Sequence, residues 1–204
     1  MNWLILNKSL IRITKNDMKT RITGGQLKGM ALNSSKSDTL RPTLQMVRLA
    51  ICSMFGNNKF NDIHVLDLYS GTGVLGLEAL SRGARWVDFV EKNRNRCRNI
   101  TSALSKFGLE DKGKVYCADV EKFITRLNSK YSLITMDPPY ADDCWGKIMP
   151  LVASGGFIDE HSVVVAEHGR ENKPDSKYER LMRTSAKQYG DSYISIYSMG
   201  VTNG

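Results

Sequence analysis

The stretch VLDLYSGTGVLGLEAL (residues 65–80) joins an apolar run to a helix-like segment through three glycines. Gly71, Gly73 and Gly76 satisfy the spacing GxGxxG, which in dinucleotide-binding folds lies between a strand and the following helix. Glycine lets the backbone approach a ligand closely, and the first turn of the helix offers unpaired N–H groups. The stretch therefore predicts a strand–loop–helix unit that binds a nucleotide-like cofactor.

The rest of the chain repeats this strand–helix pattern. Strand-like segments lie at residues 64–69, 84–91, 114–119, 131–136 and 162–169, and helix-like segments between them lie at 74–83, 93–108, 120–128 and 144–156. Such alternation predicts an α/β fold in which a mostly parallel sheet carries helices on both faces. Segments 178–184 and 191–199 follow each other without a helix. They predict an antiparallel hairpin at the edge of a seven-stranded, Rossmann-like sheet.

The chain divides into three predicted parts. Residues 1–17 hold one short apolar patch and no signal-peptide pattern, so we interpret them as a poorly ordered extension or a consequence of start-site choice. Residues 18–62 predict a small basic unit, with a glycine-punctuated β-segment at 20–32 and a helix at about 41–55. Residues 63–204 form the predicted cofactor-binding domain.

Charge is concentrated at the amino-terminal end. The net charge is +8, and residues 1–62 carry ten Lys or Arg against three Asp or Glu, whereas residues 63–204 are nearly neutral. A basic segment on a neutral body indicates an arm that contacts phosphate, although surface lysines can also serve solubility alone. No apolar run approaches the roughly 18–20 residues of a membrane span, so we expect no membrane partner.

Cysteine and histidine are scattered rather than clustered. The four cysteines form no CxxC pair, and the three histidines stand apart from them. This spacing predicts no metal site, because structural zinc needs ligands at close, paired positions. Free thiols in helix and strand patterns indicate a reducing, cytoplasmic setting.

Three acidic residues lie at the carboxyl ends of three successive predicted strands, on the side where α/β sheets bind ligands. Asp67 lies four residues before Gly71, where a carboxylate suits an ammonium group better than a pyrophosphate. Glu91 is placed for ribose hydroxyls and Asp119 for an adenine amino group. Each acid alone is equally compatible with a helix N-cap or a solvated loop. Together they favour S-adenosylmethionine over NAD as the predicted cofactor.

A double proline ends the fourth predicted strand, in YSLITMDPPY (131–140). Proline has no backbone N–H and fixes its own φ, and it holds the preceding residue extended. One interpretation is a rigid strand exit with Tyr140 packed in the core. The other is a set of fixed hydrogen-bond acceptors for a ligand, and the nearby glycine loop favours it.

These motifs together resemble a known family of enzymes. VLDLYSGTGVLGLEALSRGA (65–84) with DPPY (137–140) resembles the class I S-adenosylmethionine-dependent methyltransferases that modify exocyclic amines of bases. RITGGQLKG (21–29), RPT (41–43) and KQYGDSYISIY (187–197) narrow the resemblance to the RsmD family, the 16S rRNA (guanine-N2)-methyltransferases.

The resemblance covers residues 20 to about 199 and implies transfer of a methyl group to N2 of a specific guanine in 16S rRNA. The implied partner is that rRNA within an assembled or assembling small ribosomal subunit, and the implied enzyme is cytoplasmic and monomeric. The cofactor-binding residues would be Asp67, Tyr69, Gly71, Gly73, Gly76, Glu91, Lys92, Asp119 and Val120. The catalytic residues would be Asp137, Pro138, Pro139 and Tyr140, and the RNA-binding residues would be Arg21, Lys28, Arg41, Thr43 and Arg48.

A guanine amine is a weak nucleophile, so the expected mechanism depends on orientation and electrostatics. Asp137 and the carbonyl of Pro138 would accept hydrogen bonds from the amine and aim its lone pair at the methyl group. Tyr140 would stack on the extruded base. Asp137 is also the expected acceptor of the released proton.

The helix after RPT departs from the family pattern. Gln45, Leu49 and Cys52 stand where an aspartate, a glutamate and an aromatic residue are usual. Because the acidic partners are missing, we expect Arg41 and Arg48 to be freer to contact phosphate.

Three other functions fit parts of the sequence. An adenine-N6 or cytosine-N4 methyltransferase would share DPPY and the glycine loop, but it usually needs a separate target-recognition region for which there is little room. A non-catalytic RNA-binding protein with this fold would not need all the acidic residues. An NAD-dependent oxidoreductase is indicated by the glycine spacing alone, and it would bind NAD rather than S-adenosylhomocysteine.

Overall fold

The computed structural model describes residues 20–32, 48–52, 60–139 and 144–200. Its strands are β1 His64–Leu68, β2 Trp86–Glu91, β3 Gly113–Cys117, β4 Leu133–Met136, β5 Val163–His168, β6 Lys177–Tyr178, β7 Leu181–Tyr189 and β8 Ser192–Met199. Its helices are α1 Val74–Ser81, α2 Arg94–Lys106, α3 Val120–Ile124 and α4 Trp145–Ser154, and residues 48–52 are also helical. None of the helices in these ranges has the length and apolar character that crossing a membrane requires.

All eight strands form one sheet in the order β3-β2-β1-β4-β5-β8-β7-β6. The first five strands pair in parallel, and β8, β7 and β6 extend the sheet in the antiparallel sense. The sheet is covered on both faces, because α1 and α2 contribute to one buried apolar cluster and α3 and α4 to the other. The predicted α/β, Rossmann-like fold with an antiparallel edge is confirmed.

The edge of the sheet differs from the prediction in one detail. The segment predicted as a single strand at 178–184 is divided between β6 and the start of β7, so the sheet has eight strands rather than seven. Glu179 has a φ of 48°, which turns the chain between the two strands. This left-handed conformation is unusual for a residue with a long side chain, and it forms a tight hairpin without glycine.

The described amino-terminal residues pack against the sheet domain. Arg21 and Ala31 form an antiparallel bridge. Ile22 and Leu32 are 1% and 3% exposed, and they belong to the same apolar cluster as the residues of α1. The predicted extension at 1–17 lies outside the described residues.

A buried carboxylate joins this segment to the sheet domain. Glu78, on α1, is fully buried. Its Oε1 lies 2.9 Å from an Arg82 guanidinium nitrogen, and its Oε2 lies 3.8 Å from Arg48 Nε. Oε2 also accepts a 2.9 Å hydrogen bond from the backbone N–H of Thr23. We call these four residues the Glu78 anchor.

Candidate active site

The carboxyl ends of β1, β2 and β4 meet at one edge of the sheet. Leu68, near the end of β1, lies beside Val90 of β2 on one side and Met136 of β4 on the other. The predicted residues Asp67, Glu91 and Asp137 therefore come together at this edge. Parallel α/β sheets bind their ligands in the crevice outside these strand ends.

Asp67 ties the first turn of α1, directly after the glycine loop, to the neighbouring strand β4. It is 3% exposed. Its Oδ1 accepts a 2.8 Å hydrogen bond from the Thr135 hydroxyl of β4, and its Oδ2 accepts one of 3.3 Å from the N–H of Gly76. Burial raises the pKa of Asp67 to about 7; these two hydrogen bonds oppose the rise, and the carboxylates of Asp137 and Glu91 add to it. Asp67 thus fixes the first turn of α1, and its contact with a ligand ammonium group stays a prediction.

Glu91 holds the other side of the glycine loop. Its Oε2 accepts a 2.9 Å hydrogen bond from the N–H of Gly71, and its Oε1 accepts one of 2.8 Å from the N–H of Asn93. Before the loop, Tyr69 adopts a left-handed φ of 57°, and the N–H of Ser70 donates to the Val90 carbonyl at 3.0 Å. The carboxylate that we expect to bind ribose therefore also organises the loop.

The three glycines of the motif serve different purposes. Gly71 and Gly73 have φ values of 56° and 72°, which side chains rarely tolerate. A Cβ on Gly73 would lie 2.8 Å from a side chain of α2, and one on Gly76 would lie 2.3 Å from the Phe89 ring. Among the described atoms, a Cβ on Gly71 would meet only the carbonyl oxygen of Tyr69, at 3.8 Å. The loop is therefore open to a ligand at Gly71, whereas Gly76 allows α1 to pack closely on β2.

The predicted adenine end of the site lies after β3. Asp119 is exposed and caps α3, because its Oδ1 accepts a 3.3 Å hydrogen bond from the N–H of Lys122. Capping leaves its second oxygen available. Val120 is buried, and Lys92 is exposed after β2. An open depression of about 510 Å³ lies on this side, lined by Arg94, Cys97, Arg98 and Cys117.

The double proline follows β4 directly. Pro138 is buried, whereas Asp137 and Pro139 are exposed. Asp137 is open to solvent on one side, yet protein surrounds most of its carboxyl group. This desolvation raises the pKa of Asp137 to about 6, and the positive charge of Arg96 opposes the rise. Tyr140 lies outside the described residues.

The expectation that Arg48 is free to contact phosphate is wrong. Arg48 is 4% exposed, and its guanidinium is part of the Glu78 anchor. It also donates a 3.0 Å hydrogen bond to the backbone carbonyl of Arg21. The missing acidic partner of the helix is supplied by α1, from a position thirty residues further along the chain.

The other predicted RNA-binding residues are only partly described. Arg21 and Lys28 are exposed, and Arg41 and Thr43 lie outside the described residues. The turn that carries Lys28 packs at the carboxyl end of α1, where the N–H of Gln26 donates to the Ser81 carbonyl at 2.7 Å. Helices of an α/β sheet run antiparallel to the strands, so the carboxyl end of α1 lies beside the amino ends of the strands. This turn and the candidate site therefore lie at opposite ends of the strands.

Several residues of the site were missed by sequence reasoning. Thr135 anchors Asp67, Arg96 faces Asp137, and Glu167 is the last residue but one of the neighbouring strand β5. Glu167 had a usable signal, since it is an acidic residue at the end of an apolar strand, as Asp67 is. Thr135 and Arg96 had none, because their roles depend on contacts between distant parts of the chain.

A mostly parallel, Rossmann-like sheet with an antiparallel edge, a glycine loop and an acidic carboxyl edge defines the class I methyltransferase fold. The chain belongs to the family described as Conserved hypothetical protein 95, whose model matches residues 20–198. This confirms the RsmD-like methyltransferase family that the motifs indicated.

Individual relatives agree with this assignment. YlbH of Bacillus subtilis (strain 168) is 30% identical over 180 residues, which cover 87% of this chain and 97% of the relative. Ribosomal RNA small subunit methyltransferase D of Escherichia coli (strain K12) is 27% identical over 152 residues, covering 74% and 76% of the two chains.

Solved structures share the fold. Escherichia coli yhhF matches with a TM-score of 0.81 at 22% identity, covering 90% of this chain and 99% of that one. SMU.776, complexed with SAH (S-adenosylhomocysteine), matches with a TM-score of 0.64 at 13% identity, covering 85% and 52%.

Proposed function

We propose that this protein transfers a methyl group from S-adenosylmethionine to the exocyclic N2 of a guanine in small-subunit ribosomal RNA. The observation that carries the proposal is the position of Asp137 and Pro138 beside the glycine loop. The strands that precede these two elements, β4 and β1, are joined by the 2.8 Å hydrogen bond between Thr135 and Asp67. The name of the Escherichia coli relative, small subunit methyltransferase D, supports the choice of rRNA.

The residues at this edge fit S-adenosylmethionine, which supplies an activated methyl group when bound. The loop is open at Gly71, where a ligand can approach the backbone. Asp67, Glu91 and Asp119 present carboxylates that suit a cationic ligand with an ammonium group, ribose hydroxyls and an adenine amine. SMU.776, which shares the fold, was solved with the demethylated form of this cofactor.

Asp137 and Pro138 orient the amine in this mechanism. The Asp137 carboxylate and the Pro138 carbonyl accept hydrogen bonds from the two amine N–H groups, which directs the nitrogen lone pair at the methyl carbon. S-adenosylmethionine, which Asp67, Glu91 and Asp119 would hold, would supply the methyl group to this lone pair and would keep the electron pair of the C–S bond on its sulfur. One N–H proton then passes to the Asp137 carboxylate, so atoms and charge balance.

The substrate must also be held on the protein surface. Arg21, Lys28, Arg41 and Thr43 would contact RNA phosphates without reading sequence, and Tyr140 would stack on the extruded guanine. The basic unit at 18–62 would act with the catalytic domain at 63–204. We infer a monomeric, cytoplasmic enzyme whose substrate is 16S rRNA in an assembled or assembling subunit.

Methyl transfer from labelled S-adenosylmethionine to small ribosomal subunits lacking the modification tests this function. We expect label in N2-methylguanosine after digestion to nucleosides. Asp137→Asn should lower the rate about 100-fold, and Asp111→Asn, in an exposed turn, is the matched control. Activity of the wild type should also fall as the pH drops below about 6, because protonated Asp137 cannot accept the amine proton.

The alternatives give different results in the same assay. Label in N6-methyladenosine or N4-methylcytidine would keep the fold and the chemistry but overturn the choice of base. No label in any rRNA nucleoside, despite binding of S-adenosylhomocysteine, would overturn the choice of substrate. Binding of NAD instead would overturn the methyltransferase assignment.

A further inference from the structure

A second carboxyl group lies beside Asp137. Met136, the last residue of β4, is paired with Ala166 of β5 in parallel register, so Asp137, directly after β4, continues the chain beside Glu167 of β5. Met136 and Ala166 belong to one buried face of the sheet. Because side chains alternate along a strand, Asp137 and Glu167 lie towards the opposite face, which also carries Asp67.

Glu167 is held away from water and is only partly satisfied. It is 6% exposed. Its Oε1 is buried and accepts no hydrogen bond from any described residue. An ionised carboxylate needs donors for both oxygens when it is buried, whereas a protonated carboxyl can turn one oxygen into a donor. The orphaned oxygen therefore indicates the protonated form.

The charges around Glu167 favour the same form. Desolvation raises the pKa of Glu167 to about 8, and the negative charge of Asp137 adds to the rise, while a hydrogen bond with Ser192 of β8 opposes it. The positive charge of Arg96 acts on Asp137 and partly opposes the rise of the Asp137 pKa that desolvation causes. On the other side of Asp137 stands the carboxyl of Asp67, on β1. We call Asp67, Asp137 and Glu167 the carboxyl row.

We propose that Glu167 is the positioning partner of Asp137: it keeps one proton in the resting enzyme and directs it to the Asp137 carboxylate. This O–H donor would fix the orientation of Asp137 while leaving its other oxygen for the substrate amine. Two ionised carboxylates on neighbouring strands would instead repel each other and displace Asp137. The inference rests on the proposed function for its catalytic meaning, but the shared proton is a property of the protein alone.

The pH dependence of stability tests the shared proton without any substrate. The folded protein holds the Glu167 proton between the ordinary glutamate pKa of 4.5 and about 8, whereas the unfolded chain has lost it, so stability falls as the pH rises through this window. Glu167→Gln stays neutral and keeps a donor. We expect its Tm, relative to wild type, to rise by a few °C between pH 5 and pH 9.

A double-mutant cycle identifies the partner. Asp137→Asn removes the neighbouring charge, so the pH-dependent gain from Glu167→Gln should become smaller in that background. Glu121→Gln, on the exposed side of α3, should show no such gain. A Tm gain from Glu167→Gln that does not change with pH would overturn the protonated state of Glu167. An equal pH-dependent Tm gain in the wild-type and Asp137→Asn backgrounds would overturn the pairing with Asp137.

The rate of methyl transfer tests the positioning role. With a pKa of about 8, the protonated fraction of Glu167 falls about tenfold between pH 7 and pH 9. The ratio of the Glu167→Gln rate to the wild-type rate should rise by about the same factor. A ratio independent of pH would overturn the role in catalysis. If no variant methylates guanine, the proposed function fails, and the stability cycle still decides whether the proton is shared.

Discussion

The Glu78 anchor and the carboxyl row both contain acidic groups that the protein wholly or partly desolvates, but the two differ in how the negative charge is compensated. Glu78 is enclosed by Arg48, Arg82 and a backbone N–H, so its charge is fully compensated. The row gathers three carboxyls, and raised pKa values follow from desolvation at each of them. A compensated buried charge holds a fold together, whereas an uncompensated group in a cleft is typical of a functional site.

Removing the anchor carboxylate should have the largest effect. Glu78→Ala leaves the Arg48 guanidinium buried without its ion-pair partner, which typically costs about 3–5 kcal/mol. We expect the midpoint of urea unfolding to fall accordingly. Glu121→Ala, at an exposed position on α3, is the matched control and should change little. A Glu78→Ala protein as stable as the control would show that the anchor does not hold the amino-terminal segment.

Filling the space at Gly76 should have an intermediate effect. A Cβ there would lie 2.3 Å from the Phe89 ring, so Gly76→Ala must displace α1 from β2. Overpacking of this kind costs about 1–3 kcal/mol, and the Gly76 N–H that donates to Asp67 would move with the helix. Gly156→Ala, whose Cβ would meet nothing within 4 Å, is the control for the substitution itself. Equal stability of the two variants, measured by thermal unfolding, would contradict the close packing.

Neutralising Asp67 should change the pH dependence rather than the overall stability. The folded protein keeps the Asp67 proton between the ordinary pKa of 3.8 and about 7, so this group makes stability fall as the pH rises through that window. Asp67→Asn does not titrate, and its amide can still accept from the Gly76 N–H and donate to the Thr135 hydroxyl oxygen. We therefore expect its Tm to move upwards relative to wild type, by a few °C, from pH 4 to pH 8. A constant difference would mean that Asp67 stays ionised.

The smallest effect is expected at the amino-terminal turn. Arg21→Ala and Lys28→Ala each remove one phosphate contact at most. The logarithm of the binding constant falls as the logarithm of the salt concentration rises, and each variant should reduce the steepness of this fall by about 1. Because the turn lies far from the carboxyl edge, KM for the RNA should rise while kcat stays constant. Lys177→Ala, an exposed lysine on β6, is the control. An unchanged salt slope in both variants would exclude this turn from the RNA interface.

The sequence predicted the fold well because its signals are local. Strand and helix segments, the glycine loop and the hairpin all depend on patterns within about ten residues, and their order alone implies a parallel sheet. The division between β6 and β7 was missed because Glu179 takes a left-handed turn position where asparagine or glycine is usual.

The candidate site was predicted at the level of positions rather than of partners. Asp67, Glu91 and Asp137 were expected at one edge, and the structure brings them together there. What each carboxylate contacts could not be predicted, because Asp67 meets Thr135 across 68 residues of sequence. The same limit explains the error at Arg48, for which a partner was sought only within its own helix.

The two-residue strand β6 has a consequence for contacts between molecules. It forms one end of the sheet, and it consists of Lys177 and Tyr178 alone. An edge strand this short leaves few unpaired backbone groups, and the exposed lysine adds a charge that an incoming strand would have to bury. A strand from another molecule therefore finds little to pair with, so this end of the sheet resists aggregation by strand addition.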